Sequence, residues 1–220
     1  MIFSSEQTSC AEKLILNTAS EQDRQEIYNI RHTVYARELD QHSTNSSNQL
    51  KDDLDLINHY IIAKYCGQVI GFVSITPPNS KKYSVDKYFN RSCVPYPFDE
   101  HLYEIRLLTV IKGSRNSHPA LALMFAAFRW VQAGGGRHIV AICRKDLLRM
   151  YCKAGLQPLN LSAQSGKVIY ELSVACTDDL QKLVQNRIWL YESLKNKIDW
   201  QLPYPFFAPS DFCNDSENRF

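Results

Sequence analysis

The chain has 220 residues, 45% of them apolar and 22% charged, which are the proportions of an ordinary globular protein of one large or two small domains. A net charge of only +2 argues against nucleic-acid binding, and the absence of any run of about 18 apolar residues argues against a membrane span. The seven cysteines form no C-x-x-C pair, which argues against a disulfide framework or a zinc site. Since the N-terminus also lacks a signal-peptide pattern, we expect a cytoplasmic protein without a bound metal.

The chain opens on a predicted strand and helix. Lys13–Ala19 is short and apolar, as a buried strand is. Ser20 is a favourable helix N-cap, and acidic residues follow it in the first turn. Ile27, Ile30 and Val34 then recur at helical spacing, which predicts an amphipathic helix.

A loop and a hairpin come next. The segment Leu39–Leu56 is rich in Ser and Asn and is predicted as a long loop, a kind of segment that often carries function. Two strand-like runs flank Cys66–Gly67, so we expect a hairpin that ends at Pro77–Pro78. A short helix is predicted over the segment SVDKYFN.

The second half of the chain alternates strands with helices. Leu102–Ile111 is the longest strand candidate, and the helix after it is terminated by Ala133–Gly136. That helix has an apolar face made of Leu121, Met124, Phe125, Phe128 and Val131. A strand over Arg137–Cys143, a short helix that stops at Gly155 and a last strand in SGKVIYELSV complete this part.

The pattern changes at Thr177. One amphipathic helix is predicted there, followed by a tail rich in Pro and aromatic residues that packs on the domain or on a partner. The apolar positions of this helix are Leu180, Leu183, Val184, Ile188, Tyr191 and Leu194. The element order, β-α-loop-β-β-β-α-β-α-β, predicts one α/β domain over residues 1–176 with a helical extension over 177–220.

Three short motifs carry a resemblance to a known superfamily. They are RHTVYARE with Arg31 and Tyr35, DDLD with Asp52 and Asp55, and YEIRLLTV with Glu104. In these motifs the chain resembles the GNAT acyltransferases, and within them the acyl-homoserine lactone synthases and long-chain N-acyl amino acid synthases. The resemblance implies a mixed, mostly antiparallel central sheet flanked by helices.

The chain also departs from the pattern of these synthases. Where they have an Arg three positions after the Glu, this chain has Leu107, and Arg106 comes one position early. The strand segment GFVSITPP lacks their Arg, and their Trp after the first helix is missing. These differences count against a homoserine-lactone product and leave acyl transfer as the expectation.

The wider GNAT superfamily supplies two further matches. LLRMYCKAGLQPL is similar to its Tyr-x-x-x-Gly segment, which places Tyr151 where the general-acid tyrosine of the superfamily lies. RNSHPA is similar to its phosphate-binding turn, with Arg115 and Ala120 kept and His118 at the position of the middle Gly.

Acyl transfer from a thioester to an amine needs a proton acceptor for the amine and a proton donor for the thiolate. Glu104 is the candidate base, and its alternative role is a structural ion pair with Arg31 or Arg106. Tyr151 is the candidate acid, and its alternative role is that of a core aromatic residue.

Five residues are candidates for substrate binding. Arg31 and Tyr35 lie one helical turn apart, and Arg31 is suited to bidentate binding of a substrate carboxylate, unless it pairs with Glu104 or Asp55. Asp52 and Asp55 would lie near the substrate amine if their loop folds over the site, the alternative being a solvated acidic loop. Arg106 would share the strand face of Glu104 and help to form the pocket for the amine.

The turn before the second helix is the candidate donor site, because free N–H groups and the helix dipole favour an anion there. The residues assigned to it are Thr109, Val110, Lys112, Arg115, Asn116, Ser117 and His118. His118 and Pro119 replace the flexible, N–H-rich cradle that a pyrophosphate needs, which mildly favours the single phosphate of an acyl-carrier protein over acyl-CoA.

The leading functional hypothesis is therefore an acyltransferase that makes an N-acyl amino acid or a related amide from a small amine. It would use an acyl-phosphopantetheine thioester, on a carrier protein or on coenzyme A, as co-substrate without a permanently bound cofactor. The two alternatives are an acetyl-CoA-dependent N-acetyltransferase and a non-catalytic module that binds a carrier or another protein.

Overall fold

The structure is a computed structural model that describes residues 13–115 and 117–203. Its strands are β1 (Leu14–Thr18), β2 (His59–Tyr65), β3 (Gln68–Thr76), β4 (Leu102–Val110), β5 (His138–Arg144), β6 (Gln157–Ser165), β7 (Val168–Cys176) and β8 (Ile198–Gln201). Its α-helices are α1 (Glu21–Arg31), α2 (Ser117–Ala133), α3 (Leu148–Lys153), α4 (Thr177–Asn186) and α5 (Ile188–Lys197). No helix in this part of the chain is both long and apolar enough to span a membrane.

The eight strands form one sheet in the order β6-β7-β5-β4-β3-β2-β1-β8. Only β1–β8 and β4–β5 are parallel among the neighbouring pairs, and the other pairs are antiparallel. The predicted mixed, mostly antiparallel sheet flanked by helices is therefore confirmed.

Strand β2 is buried on both of its faces, which explains its almost continuous apolar sequence. Ile61 and Ala63 belong to the core cluster that includes α2, whereas Tyr60 and Ile62 pack on the other face of the sheet with Ile27 of α1. Successive side chains of a strand point to opposite faces, so the two helices must lie on opposite sides of the sheet.

The first helix begins where the sequence predicts. The Ser20 side chain accepts a hydrogen bond from the Asp23 N–H while the Asp23 carboxylate accepts one from the Ser20 N–H, which forms a reciprocal capping box. After α1 the chain does not stop but widens into a π-helical segment, His32–Glu38. π-Helical turns are rare in proteins, and those that occur often lie at functional sites. This one places Tyr35 beside β4.

The predicted hairpin is confirmed. β2 and β3 are antiparallel neighbours joined by the two residues Cys66 and Gly67, with φ angles of 51° and 75°. Positive φ at both positions of a two-residue loop matches the right-handed twist of the flanking strands. Ser84–Lys87, within the predicted short helix, forms one 3-10 turn.

The region after α3 differs from the sequence-based prediction. The residues of β6 were not predicted as a strand because they are polar and lie mostly exposed at the edge of the sheet, without an apolar alternation. The strand also contains Pro158 and an irregular register up to Ser162, where Asn160 has a φ of 57°. Both features are typical of edge strands and bulges.

The single helix predicted from Thr177 is also wrong in detail. Two helices, α4 and α5, meet at Arg187, whose non-helical backbone interrupts the hydrogen-bond ladder. Leu180, Val184 and Leu194 nevertheless bury their side chains in the main core, as the apolar pattern predicts. The chain then adds β8 in parallel to β1, so Ile198–Gln201 returns to the same sheet as the first strand. The division at residue 176 stays a prediction, and the Pro- and aromatic-rich tail from 204 lies outside the described residues.

Candidate active site

Strands β4 and β5 separate in the middle of the sheet. They pair in parallel only from Leu102 to Ile105, so residues 106–110 of β4 have no β5 partner. At the same place Leu107 has a φ of 56°, and the register between β4 and β3 shifts between Phe72 and Ser74. A bulge next to an open strand edge re-aims side chains and often lies beside an active site. The parting of the two strands opens the space in which the candidate residues meet.

A charged cavity of about 290 Å³ lies on one side of this opening. Its basic lining residues are Arg31, Lys51, Lys87, Arg106 and Arg144, and its acidic one is Asp52. Tyr35, His42, Ser84, Tyr88, Tyr151 and Tyr170 supply further polar side chains. The lining therefore has a surplus of positive charge, which favours an anionic occupant.

Two arginines and two aspartates form an ion-pair cluster at this cavity. Arg31 Nη1 donates to both carboxylate oxygens of Asp55 at 2.7 and 2.8 Å, and its Nη2 donates to Asp52 Oδ2 at 2.9 Å. Asp52 also accepts hydrogen bonds from Arg106, so it bridges the two guanidinium groups. The predicted residues Arg31, Asp52, Asp55 and Arg106 are thus brought together.

The cluster shows the partners of these residues in the folded chain, including the ion pair of Arg31 with Asp55. The loop that carries Asp52 and Asp55 folds over the site, because Asp55 is buried and only one fifth of the Asp52 side chain is exposed. Arg31 is 3% exposed and uses both terminal nitrogens on these aspartates. Its use as a carboxylate ligand stays a prediction, since a substrate would have to compete with Asp52 for it.

Asp52 is held as an anion. Burial opposes its ionisation, but the hydrogen bond and charge of Arg106, together with Arg31 and Lys87, outweigh this effect and lower the pKa of Asp52 to about 2. A carboxylate with such a pKa organises positive charge but has little tendency to accept a proton near neutral pH.

Glu104 lies on the same strand but in a different environment. Its carboxylate is fully buried and accepts four hydrogen bonds, from the Thr76 hydroxyl, the Ser84 N–H and hydroxyl, and the Val85 N–H, at 2.6–2.9 Å. Among the described residues no ion pair joins it to Arg31 or Arg106. Ser84 lines the charged cavity and Glu104 does not, so the carboxylate reaches the cavity only through the Ser84 hydroxyl.

Tyr151 stands where three cavities meet. It lines the charged cavity, an apolar cavity of about 60 Å³ and a third cavity of about 340 Å³, and so does Leu108 of β4. The apolar cavity lies between β4, β5 and the helices, with Met124, Phe125, Leu156, Leu180 and Tyr191 among its lining residues. Burial raises the pKa of Tyr151, which keeps its hydroxyl protonated.

The third cavity, called here the turn cavity, lies beside the predicted phosphate-binding turn. Thr109, Val110 and Arg115 line it, together with Tyr35, whose hydroxyl is 2.9 Å from the Thr109 hydroxyl. Arg115 donates to the Val110 carbonyl at 2.9 Å and pairs with Glu38 at 2.6 Å.

Of the other residues assigned to the turn, Lys112 and His118 are not among the described lining residues of the turn cavity. Lys112 and His118 are exposed on the surface. Ser117 is the first residue of α2, and Asn116 lies outside the described residues. The structure therefore brings only part of the predicted donor site to the opening between β4 and β5.

Among the residues of the charged cavity that the sequence analysis missed are His42, Lys87 and Arg144. Arg144 ends β5 and pairs with Asp146, and Lys87 ends the 3-10 turn that Glu104 holds. His42 lies in the polar loop, where the sequence singled out Asp52 and Asp55 and gave no indication that His42 faces the site. No spacing along the chain could have found them, because three separate elements contribute one residue each.

No model of a known sequence family and no curated protein sequence matches the chain. Solved structures do match it in fold. The CoA-dependent acyl-homoserine lactone synthase BjaI, determined with SAM and isopentyl-CoA, superposes with a TM-score of 0.68 at 18% identity, over 88% of this chain and 96% of that one. The acyl-homoserine lactone synthase LasI gives a TM-score of 0.62 at 17% identity, over 76% and 91%.

A more distant match extends the comparison beyond these synthases. An acyl-CoA N-acyltransferase from Pseudomonas aeruginosa has a TM-score of 0.52 at 11% identity, covering 74% of this chain and 98% of that one. Identities this low establish the fold and not the chemistry. The predicted GNAT fold, similar to that of acyl-homoserine lactone synthases, is confirmed.

Proposed function

We propose that the chain is an N-acyltransferase that moves an acyl group from a thioester donor to the amine of an amino acid or a similar small anionic molecule. The observation that supports this most directly is the opening between β4 and β5, where a charged, an apolar and a turn cavity share Leu108 and Tyr151. Acyl transfer needs such a meeting point, because the amine and the thioester must approach within reacting distance.

The apolar cavity is the proposed place for the acyl chain. Its lining is mostly aliphatic and aromatic, so burying a methylene group there would contribute about 0.8 kcal/mol. The turn cavity, which Thr109 and Val110 of β4 and Ala120 of α2 line, would receive the long, thin phosphopantetheine arm. A carrier protein and coenzyme A both supply this arm, and both remain donors within the proposal.

The charged cavity is the proposed place for the acceptor. Arg31 and Arg106 are balanced by Asp52 and Asp55, and Arg144 is paired with Asp146, which leaves Lys51 and Lys87 to give the cavity its positive surplus. Lys87 is exposed and forms no ion pair with a described residue. An amino acid would place its carboxylate toward these cations and its amine toward Tyr151 and the thioester.

Two chemical roles follow from the sequence-based assignment. Tyr151, kept protonated by burial, would give its proton to the departing thiolate. Glu104 was assigned the amine proton, and this assignment requires the Ser84 hydroxyl to relay the proton, since Ser84 donates to Glu104 at 2.6 Å and lines the cavity.

A second candidate, acetyl transfer from acetyl-CoA, is favoured by the small volume of the apolar cavity, about 60 Å³. Without movement of the surrounding side chains this space suits a short acyl group better than a long one. The two candidates differ in donor length and share the same acceptor cavity.

The test is a matrix of donors and acceptors. The protein is incubated with acyl-carrier proteins and acyl-CoAs of several chain lengths and with a pool of amino acids, and new amides are sought by mass spectrometry. Turnover of longer acyl donors with an amino acid supports the proposal, and turnover of acetyl-CoA alone supports the second candidate. Tight carrier binding without any amide would identify a non-catalytic module and contradict both.

A variant separates catalysis from binding. Tyr151→Phe removes the proposed proton donor and should lower kcat by about 10²-fold while the acceptor KM changes little. Tyr65→Phe, on the exposed hairpin end and away from the cavities, is the matched control. An unchanged kcat for Tyr151→Phe would remove Tyr151 from the reaction.

A further inference from the structure

The charged cavity contains few groups that are able to take a proton near neutral pH. Arginine and lysine side chains are in general cations and not bases near neutral pH. Burial raises the pKa of Tyr35, Tyr151 and Tyr170, so these hydroxyls are not bases. Among the described lining residues, Asp52 and His42 remain as the side chains with a free basic form.

Asp52 is unsuited to the role. Its carboxylate oxygens accept hydrogen bonds from Arg31, Arg106 and the Leu54 N–H, and its pKa is lowered to about 2. Protonating it would break the bridge between two buried arginines. General bases work best when their pKa lies near the operating pH.

His42 is placed at the cavity by its neighbours in the loop. Gln41 donates to the Tyr170 hydroxyl at 2.6 Å, and Asp40 pairs with Lys167 at 2.6 Å. The backbone of residues 40 and 41 also passes so close to Gly166 that a β-carbon there would lie 2.8 Å from the Asp40 carbonyl oxygen. These contacts hold the loop against the β6–β7 hairpin and leave His42 over the cavity with no hydrogen bond to another described residue.

We infer that His42 is the general base of the reaction, taking the proton from the ammonium group of the acceptor in the charged cavity. The inference rests on the proposed acyltransfer and reassigns the role that the sequence gave to Glu104. His42 is reachable from solvent, unlike Glu104, so it can pass the proton to water between turnovers.

The surroundings of His42 favour its neutral form. Burial and the positive charges of Lys87 and Arg31 lower its pKa, while Asp52 opposes them. Arg106 from β4, Arg144 from β5 and Lys51 from the loop also line the cavity and add positive charge. A histidine in such a field is neutral at pH 7 and accepts a proton when the cationic amine arrives.

The proposed step is balanced in protons and electrons. The acceptor ammonium gives one proton to His42, and the freed nitrogen lone pair attacks the thioester carbonyl carbon to form the C–N bond. The C–S bond then breaks, the second amine proton leaves as the amide forms, and the thiolate is protonated by Tyr151, which regains a proton from the amine. The products are a neutral amide, a free thiol and a His42 imidazolium that returns its proton to water.

The test uses the full chain and the best donor and acceptor pair from the matrix. His42→Gln should lower kcat/KM by about 10²- to 10⁴-fold, and the acid limb of the wild-type pH profile, with a pKa below about 6.5, should disappear. Added imidazole should restore part of the activity of His42→Ala, an effect that loss of a structural contact would not give. His59→Gln is the matched control, because the pKa of His59 is also lowered by burial but its ring packs on Trp130 outside the cavity.

Three results would overturn the inference. They are near-normal turnover of His42→Gln, an unchanged acid limb in that variant, and no rescue of His42→Ala by imidazole. Absence of turnover in the wild-type protein would overturn the proposed function and the inference together, whereas wild-type turnover with an unaffected His42→Gln would overturn the inference alone.

Discussion

Glu104 and Arg106 lie two residues apart on β4, yet their charges are balanced in different ways, one by neutral hydrogen-bond donors and the other by an ion pair. The Glu104 carboxylate is buried and accepts hydrogen bonds from neutral donors. These are the Thr76 hydroxyl and, in the turn Ser84–Lys87, the Ser84 hydroxyl and the N–H groups of Ser84 and Val85. Arg106 faces the charged cavity and is balanced by Asp52, a residue from a distant loop. One charge fixes a piece of backbone, and the other belongs to an ion-pair network that lines the charged cavity. A charged residue in a core strand is therefore a weak guide to chemistry until its partners are known.

The largest expected effect tests the network of Arg106 and Arg31. Asp55→Asn removes the carboxylate whose two oxygens both accept hydrogen bonds from Arg31. The positive charge of the buried Arg31 is then only partly balanced. We expect a loss of about 3–5 kcal/mol in the free energy of unfolding, measured by urea denaturation. Asp53→Asn is the control, since Asp53 and its partner Lys82 are largely exposed, and it should cost less than about 0.5 kcal/mol. Equal losses for both variants would show that Arg31 does not depend on Asp55.

The next effect tests the sealed environment of Glu104. Glu104→Gln replaces an acceptor oxygen by an amide NH₂ that faces other donors, and we expect about 3 kcal/mol of destabilisation by denaturation. The remaining turnover of the folded variant should keep the wild-type acid limb of its pH profile. Loss of that limb would return the base role to Glu104 and Ser84, and both charged residues of β4 would then serve the reaction.

A third prediction concerns pH. The folded pKa of Asp52, about 2, lies below its ordinary value of 3.8, so this carboxylate stabilises the fold fully above pH 4 and loses the contribution as pH falls toward 2. The shift corresponds to at most about 2 kcal/mol. Urea denaturation between pH 2 and 5 should show the free energy of unfolding falling as the pH is lowered in the wild type and falling less steeply in Asp52→Asn. A slope that survives the substitution would assign the acid sensitivity to another carboxylate.

The smallest expected effect concerns the far end of the same strand. Tyr35→Phe removes the hydroxyl contact with Thr109 and should cost about 1 kcal/mol in unfolding free energy. Because Tyr35 also lines the charged and turn cavities, its KM values for donor and acceptor should be compared with those of Tyr65→Phe. If Tyr35→Phe changed neither the free energy of unfolding nor the KM values, the contact of Tyr35 with Thr109 would have no measurable role.

The parts of the fold that follow local rules were predictable. Ser20 and Asp23 cap a helix as their spacing indicates, and Cys66–Gly67 joins two strands as a hairpin turn should. The apolar face of α2 likewise lies in the core through Phe125 and Phe128. Strand β6 was missed because an exposed edge strand needs no apolar alternation, and the break between α4 and α5 was missed because the apolar spacing continues through it.

The sequence by itself determined which residue types were available, the order of most elements and the motifs that carry the resemblance to GNAT acyltransferases. It also singled out Arg31, Asp52, Asp55 and Arg106. Only the tertiary structure decided their partners, because an ion pair between residues 21 to 54 positions apart depends on how the loop crosses the sheet. The same reason explains why His42 escaped the sequence analysis: its lowered pKa comes from burial and from the charges of Lys87 and Arg31, which the fold brings to it from distant parts of the chain.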